Sequence, residues 1–195
     1  LNSKNKSFKR RILVVSGPSG VGKTTLCDRL VSHERNRLKI CVTATTRKMR
    51  QDEVDGKDYF FITEAEFKKG IKGRKFIEYT RIFGNYYGTP VSSLETIFSQ
   101  GKYPILRVDI DGAANYRKMG YQGVYILIMP PDRKTLEERL INRQSKESKA
   151  EIAERLKRAK KELKSHRDYD FRITNDKIAD AIKEIQQIIK EHLYK

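Results

Sequence analysis

Gly17-Pro18-Ser19-Gly20-Val21-Gly22-Lys23-Thr24 fits the pattern G-x-x-x-x-G-K-[ST], and residues of these types at this spacing hold polyphosphate for a physical reason. Gly17, Gly20 and Gly22 let the backbone turn so that successive N–H groups point inward. Lys23 brings an ammonium to the β- and γ-phosphates, and the Thr24 hydroxyl can hold Mg²⁺. The flanking residues suit that task. Ile12-Leu-Val-Val-Ser16 is a short β-rich apolar run, and residues 24–31 have helical character, so the loop links a strand to a helix whose N-terminus favours anions. Nucleoside triphosphate binding follows, with kinases, motors, GTPases and transport ATPases all open.

Other charged residues could act on a second phosphate compound. Arg47 and Arg50, three apart, could converge on a dianion as fork-shaped donors, with Tyr59 and Tyr87 adding phenolic donors. Taken alone, the same residues would also suit a solvated charged turn and two core tyrosines. Glu78 alone could be a binding carboxylate or an exposed strand residue. Arg139, Arg143 and Arg155 fall in a basic helical hairpin, a pattern that is most often a solvated face.

Three further blocks decide among these. Thr43-Ala-Thr-Thr-Arg47-Lys-Met-Arg50-Gln-Asp-Glu53-Val-Asp-Gly56-Lys-Asp-Tyr59, Phe76-Ile-Glu78 and Gly84-Asn-Tyr-Tyr87-Gly88-Thr89 resemble the signature of guanylate kinases. With the phosphate loop and Ile173-Thr-Asn175-Asp176, the resemblance runs from about Ile12 to the C-terminus in the family's order. It implies an enzyme that passes the γ-phosphoryl of ATP to GMP, and to dGMP, with Mg²⁺ accompanying ATP. The implied ATP site is residues 17–25, including Thr25, together with Asn175. The implied GMP site is Thr43, Arg47, Arg50, Glu53, Tyr59, Glu78, Tyr87, Thr89 and Asp109. Lys23, Arg47, Arg139, Arg143 and Arg155 are the residues implied for transfer, and Thr24 the metal ligand.

Elementary chemistry agrees with that carry-over. Guanine offers adjacent N1–H and N2–H₂ donors that one carboxylate can accept, whereas adenine would set an acceptor against it. Glu78 holds the family's position for this, and Thr43 and Thr89 stand where the family often has serine, keeping a hydroxyl in reach of O6. Phosphoryl transfer needs positive charge and positioning more than a protein base. The arginines at lid and lid-flanking positions supply it in the family.

Two departures stand out. Counted from Tyr87, Leu106-Arg107-Val108-Asp109-Ile110-Asp111-Gly112 has an arginine where the family has its first aspartate; a two-residue slip would instead set Asp109 and Asp111 on both family aspartates, but it misplaces Gly112. If this were a strand, residues 107, 109 and 111 would share a face, and Asp111 would restore at one end the carboxylate lost at the other. In the lid, Gln144 replaces a common glycine and one extra residue precedes Arg155.

The elements that must position these residues read as an α/β fold. Apolar runs at 12–16, 39–43, 104–109, 124–129 and 170–174 alternate with helical segments, the pattern of a doubly wound parallel sheet, here of the P-loop NTPase kind. Strand-like stretches at 59–62 and 76–83, with a Thr63-x-x-Glu66 capping box between them, predict an inserted α+β GMP-binding subdomain. A helix should run from about Thr89-Pro90 to Gly101, and another from Asp132 to about Asn142. Ile152, Leu156, Ala159 and Leu163 continue the helical lid, and Ile178, Ile182, Ile185 and Ile189 stripe a last helix that Asn175 or Asp176 can cap. The expected division is a core of 10–42, 90–142 and 160–195, a GMP-binding subdomain of 43–89 and a lid of about 143–159.

Composition closes off other classes. Among 195 residues, 42 Lys+Arg against 25 Asp+Glu give a net charge of +17, which suits polyanionic partners without choosing among them. Ten Tyr and eight Phe in a chain 37% hydrophobic can fill a core, against wholesale disorder. The longest apolar run, 124–129, is far short of the ~20 residues that span a bilayer, so no membrane partner is expected. Two isolated cysteines, Cys27 and Cys41, suit a reducing cytoplasm. Competing readings are a peptide-binding module on the same scaffold and nucleic-acid binding. Intact Lys23, Thr24, Arg47, Arg50 and Glu78 oppose the first, and no aromatic recognition motif supports specific nucleic-acid contact. Oligomeric state stays open.

Overall fold

Strand β1 (Ile12–Ser16) is fully buried along its length and anchors the sheet that carries the phosphate loop. In the computed structural model, which describes residues 10–143, 149–163 and 168–195, β1 lies between β7 (Tyr103–Arg107) and β8 (Gly123–Met129). Strands β2 (Leu38–Ile40) and β9 (Phe171–Thr174) flank them in the order β2-β7-β1-β8-β9, every neighbour parallel. Apolar residues on both sides of the three central strands, β7, β1 and β8, require helices on both faces. Leu13 and Val15 pack toward α1 (Lys23–His33) and α7 (Ile178–Ile188), with α5 (Arg133–Arg143) and α6 (Lys149–Glu162) contributing Leu136, Leu140 and Ala159. Ile12 and Val14 pack toward α3 (Val91–Ser99) and α4 (Ile110–Lys118). Each such buried side chain contributes about 1.5–3 kcal/mol, so this double layer is what holds the loop's base rigid.

A second sheet is inserted between β2 and β7. It orders β3 (Ala44–Thr45), β4 (Phe60–Phe61), β5 (Phe76–Ile82) and β6 (Asn85–Pro90) as β4-β3-β6-β5, with β3 and β5 antiparallel to β6 and β3 parallel to β4. Helix α2 (Glu64–Lys72) covers it through Phe67, whose ring stacks on Phe76 and Tyr86. The expected capping box is present: Thr63 Oγ1 accepts from the Glu66 N–H, and Glu66 Oε2 accepts from the Thr63 N–H. Asp132 caps α5 as expected, accepting the Thr135 N–H at 2.7 Å.

Four expectations are corrected. The run 39–43 is not one strand: the chain leaves the large sheet after Ile40, and the Thr43 carbonyl accepts the Phe60 N–H of the other sheet. β6 was not foreseen as a strand. Residues 107, 109 and 111 share no strand face, because β7 ends at Arg107 and Asp109 is the N-cap of α4, its Oδ1 accepting the Gly112 N–H at 2.9 Å. Helix α7 has Lys177 at its N-cap, a residue with no side-chain acceptor, so neither Asn175 nor Asp176 caps it.

Candidate active site

A cleft of about 560 Å³ opens between the phosphate loop, the smaller sheet and α6. On its donor side the lining is Gly17, Pro18, Ser19, Gly20, Gly22, Lys23, Thr24 and Thr25. Gly22 begins α1 with φ 89°, a left-handed conformation that side chains disfavour, and no side chain caps the helix. The N–H groups of its first turn are thereby left to a bound anion. Lys23 Nζ donates to the carbonyls of Gly17 and Pro18. Val21 faces the core, and its carbonyl accepts Asn175 Nδ2 at 2.8 Å. Asn175 is itself buried, so it buttresses the loop instead of lining the cleft.

Across the cleft, the seam between β3 and β6 fixes where the arginine segment begins. Thr45 Oγ1 donates to the Tyr86 carbonyl at 2.9 Å and accepts the Arg47 N–H at 3.2 Å. Glu53 then organises both arginines. Its Oε1 accepts Arg47 Nη2 at 2.7 Å and lies 3.6 Å from Arg50 Nη1, while Oε2 takes the Arg50 backbone N–H at 2.9 Å. Burial opposes the Glu53 charge, but these bonds outweigh it and hold the carboxyl below its usual range. Arg47 also lies over the Tyr59 ring, which meets the Tyr87 ring edge-on. Arg47, Arg50, Tyr59 and Tyr87 line the cleft, and Glu53 supports them from behind.

Deeper in, Glu78 of β5 is 7% exposed and its Oε1 accepts the hydroxyl of fully buried Thr89 at 2.9 Å. Burial, aided by the nearby Asp109 carboxylate and opposed by Thr89, pushes its carboxyl up to about 7. Thr43 and Asp109 also line this end, whereas Thr89 acts through Glu78. Burial raises the Asp109 carboxyl above its usual range as well.

The helical side closes over both. Arg139 Nη1 donates to the Asn175 carbonyl at 3.0 Å, and Arg155 Nη1 to Ser19 Oγ at 3.4 Å. The Arg143 backbone belongs to α5; its side chain, like Gln144 and the altered lid residues 144–148, lies outside the described residues.

Sequence reading gave no site role to three residues that line the cleft, Arg158, Phe83 and Arg107. Arg158 joins α6 to the core, with Nη2 2.9 Å from Asp109 and 3.6 Å from Asp111, and Nε 2.6 Å from Glu162. Its three-residue spacing from Arg155 and four-residue spacing to Glu162 were legible signals of one helix face. Phe83 tips the β5–β6 hairpin, where it and Gly84 both have positive φ, as a tight two-residue turn requires. Its ring lies under the guanidinium groups of both Arg155 and Arg158. Arg107 also lines the cleft.

Comparison with known proteins agrees with this layout. Residues 9–192 match the family model described as guanylate kinase. The chain is 41% identical over 183 residues to a guanylate kinase of Lactobacillus johnsonii, covering 93% of this chain and 89% of that one. It is 40% identical over 189 residues to one of Clostridium perfringens, covering 97% and 87%. The crystal structure of guanylate kinase from Anaplasma phagocytophilum superposes with a TM-score of 0.75 at 32% identity, covering 94% of this chain and 87% of that one. With a family model matched over nearly its whole length and relatives at about 40% identity, the chain belongs to the guanylate kinase family.

Proposed function

We infer that this cleft works as two facing half-sites, ATP on the phosphate loop and GMP on the smaller sheet. The activity is that of the family, transfer of the γ-phosphoryl of ATP to GMP to give ADP and GDP. The observation that carries the reading is the buried Glu78–Thr89 pair lying in one cleft with the Glu53-braced arginines and the loop. In its charged form Glu78 accepts guanine N1–H and N2–H₂, with Thr43 and Thr89 near O6. Arg47, Arg50, Tyr59 and Tyr87 bind the GMP phosphate. Lys23 takes the β- and γ-phosphates, and Arg139, Arg143 and Arg155 offset the charge that spreads over the transferred group. Closing α6 over the cleft would exclude water and suppress ATP hydrolysis.

A divalent cation fits this site as a companion of ATP. Thr24 supplies a hydroxyl in the first turn of α1, and no group of three or more His, Cys, Asp or Glu among the described residues forms a cage. Mg²⁺ would be held by Thr24 and nucleotide oxygens, and would neutralise phosphate charge there. The division into core (10–42, 90–142, 160–195), acceptor subdomain (43–89) and lid (about 143–159) serves this chemistry. Cys27 and Cys41, buried and free, suit the reducing cytoplasm in which we place the protein. No helix among the described residues is long and apolar enough to cross a membrane.

The test is ADP release from Mg-ATP with GMP, dGMP, AMP, CMP or UMP as acceptor. GMP should stimulate release most, with dGMP following. If no acceptor stimulated release while ATP and GMP both bound, the reading would fail in favour of a binding module.

A further inference from the structure

Arg107 closes β7 in register with Val15, two residues before the phosphate loop, so its backbone is fixed by the central strands. Its side chain is 12% exposed and reaches into the cleft. There, among the described residues, it makes one hydrogen bond, Nη2 to the Asp58 carbonyl at 3.3 Å, and one ion pair, Nη1 to Asp28 Oδ1 at 3.7 Å. Asp28 is 55% exposed at that carboxylate, so solvent screens the pair. Arg158, at 27% exposure, meets three carboxylates, and Arg47, at 15%, holds Glu53 at 2.7 Å. The least exposed of these three guanidiniums is therefore the least compensated. A guanidinium has five donors, and burying its charge is costly unless an anion meets it.

The surroundings say which anion. Asp58 directly precedes Tyr59, and the charge of Arg107 is the foremost influence opposing the rise that burial imposes on the Tyr59 phenol, ahead of Arg47. Arg107 and Arg47 thus both act on the hydroxyl that faces the acceptor phosphate. Glu53 cancels one of the two charges of Arg47 and Arg50, leaving one for a phosphate monoester that carries about −1.5 to −2 at pH 7. Arg107 brings the second.

We propose that Arg107 is a third guanidinium of the acceptor-phosphate subsite, binding the phosphate monoester of GMP alongside Arg47 and Arg50. This rests on the two-half-site reading above. The arginine is then a gain of phosphate affinity at a position where the family pattern has a carboxylate, and its share falls on the phosphate end of the ligand and not on the base.

Calorimetric titration of the full chain with GMP and with guanosine tests it, read as the ratio of the two dissociation constants. In Arg107→Met the advantage of GMP over guanosine should shrink about tenfold, with guanosine binding unchanged, because a charge-assisted contact is lost. Arg107→Lys should keep part of the advantage. If both ligands weaken equally, or the ratio holds in both variants, Arg107 merely braces the Asp58 segment and the proposal is overturned. Should Arg107→Met fail to fold, Arg107→Lys decides by the same ratio. Arg47→Met separates the two readings: if it lowers the ratio and Arg107 variants do not, only this proposal falls, whereas a wild-type ratio near one removes the acceptor site itself.

Discussion

The two sides of the cleft are made of different material. The donor side is built on backbone, N–H groups of a glycine turn and of an uncapped helix start, and with Lys23 and Thr24 it is set by one continuous segment. The acceptor side is side chains, drawn from β3, the 47–59 loop, β5 and β6 and held by bonds among themselves, such as Glu53 with Arg47 and Thr89 with Glu78. A backbone site is broken by adding an atom where none fits. A side-chain site is broken by removing a charge or a proton acceptor.

The largest effect should therefore come from a single methyl group. In Gly22→Ala the new Cβ would fall 2.5 Å from Asn175 Nδ2, at a φ of 89° that alanine disfavours. Roughly 3 kcal/mol of strain and lost contact lowers kcat/KM for ATP about 100-fold, leaving GMP binding intact. Steady-state kinetics and GMP titration check both halves of that statement. Next, Arg47→Met should weaken GMP about 30-fold with little change in KM for ATP, since it deletes a charged donor from one half-site only. Equal loss for both substrates would show that the halves are not separable.

The smallest effect concerns a proton. Raised to about 7 by burial, Glu78 is protonated below that pH in the free protein and cannot accept from guanine until it ionises. Guanosine, which has no phosphate to titrate, should bind about tenfold more weakly at pH 6 than at pH 8, and Glu78→Gln should abolish the dependence. The sign for folding is opposite. A carboxyl raised above its ordinary 4.5 contributes stability at low pH that is lost as pH rises toward 7, so the ligand-free protein keeps an ionised, buried Glu78 at a cost. A pH-independent guanosine affinity would place the base elsewhere.

The same contrast explains what the sequence reveals. The phosphate loop is contiguous, so Gly17 to Thr24 could be read from spacing alone, as could the Thr63–Glu66 box and the apolar strand before the loop. Arg47, Arg50 and Glu78 needed a family pattern, because nothing local distinguishes them from surface charge. Asp109 was misassigned to a strand because Leu106 to Ile110 alternates like one, while the Gly112 N–H that it caps announces itself only in three dimensions. Arg158 and Phe83 meet across 75 residues of chain, a contact that no spacing encodes. Asn175 could be placed by motif but not explained. Its amide nitrogen donates to the Val21 carbonyl, inside the protein, a contact that no spacing announces.

On the ribosome the two halves cannot mature together. Every strand of the smaller sheet lies between Ala44 and Pro90, and its pairings are complete once that stretch has emerged. β1 precedes both of its partners in the chain: its Leu13 pairs with Ile105 on one side and Val124 on the other. At about 5–20 residues per second, the nascent chain spends several seconds with that apolar strand unpaired. The phosphate loop is made before the strands that flank its base, and so acquires its shape well after it is synthesised.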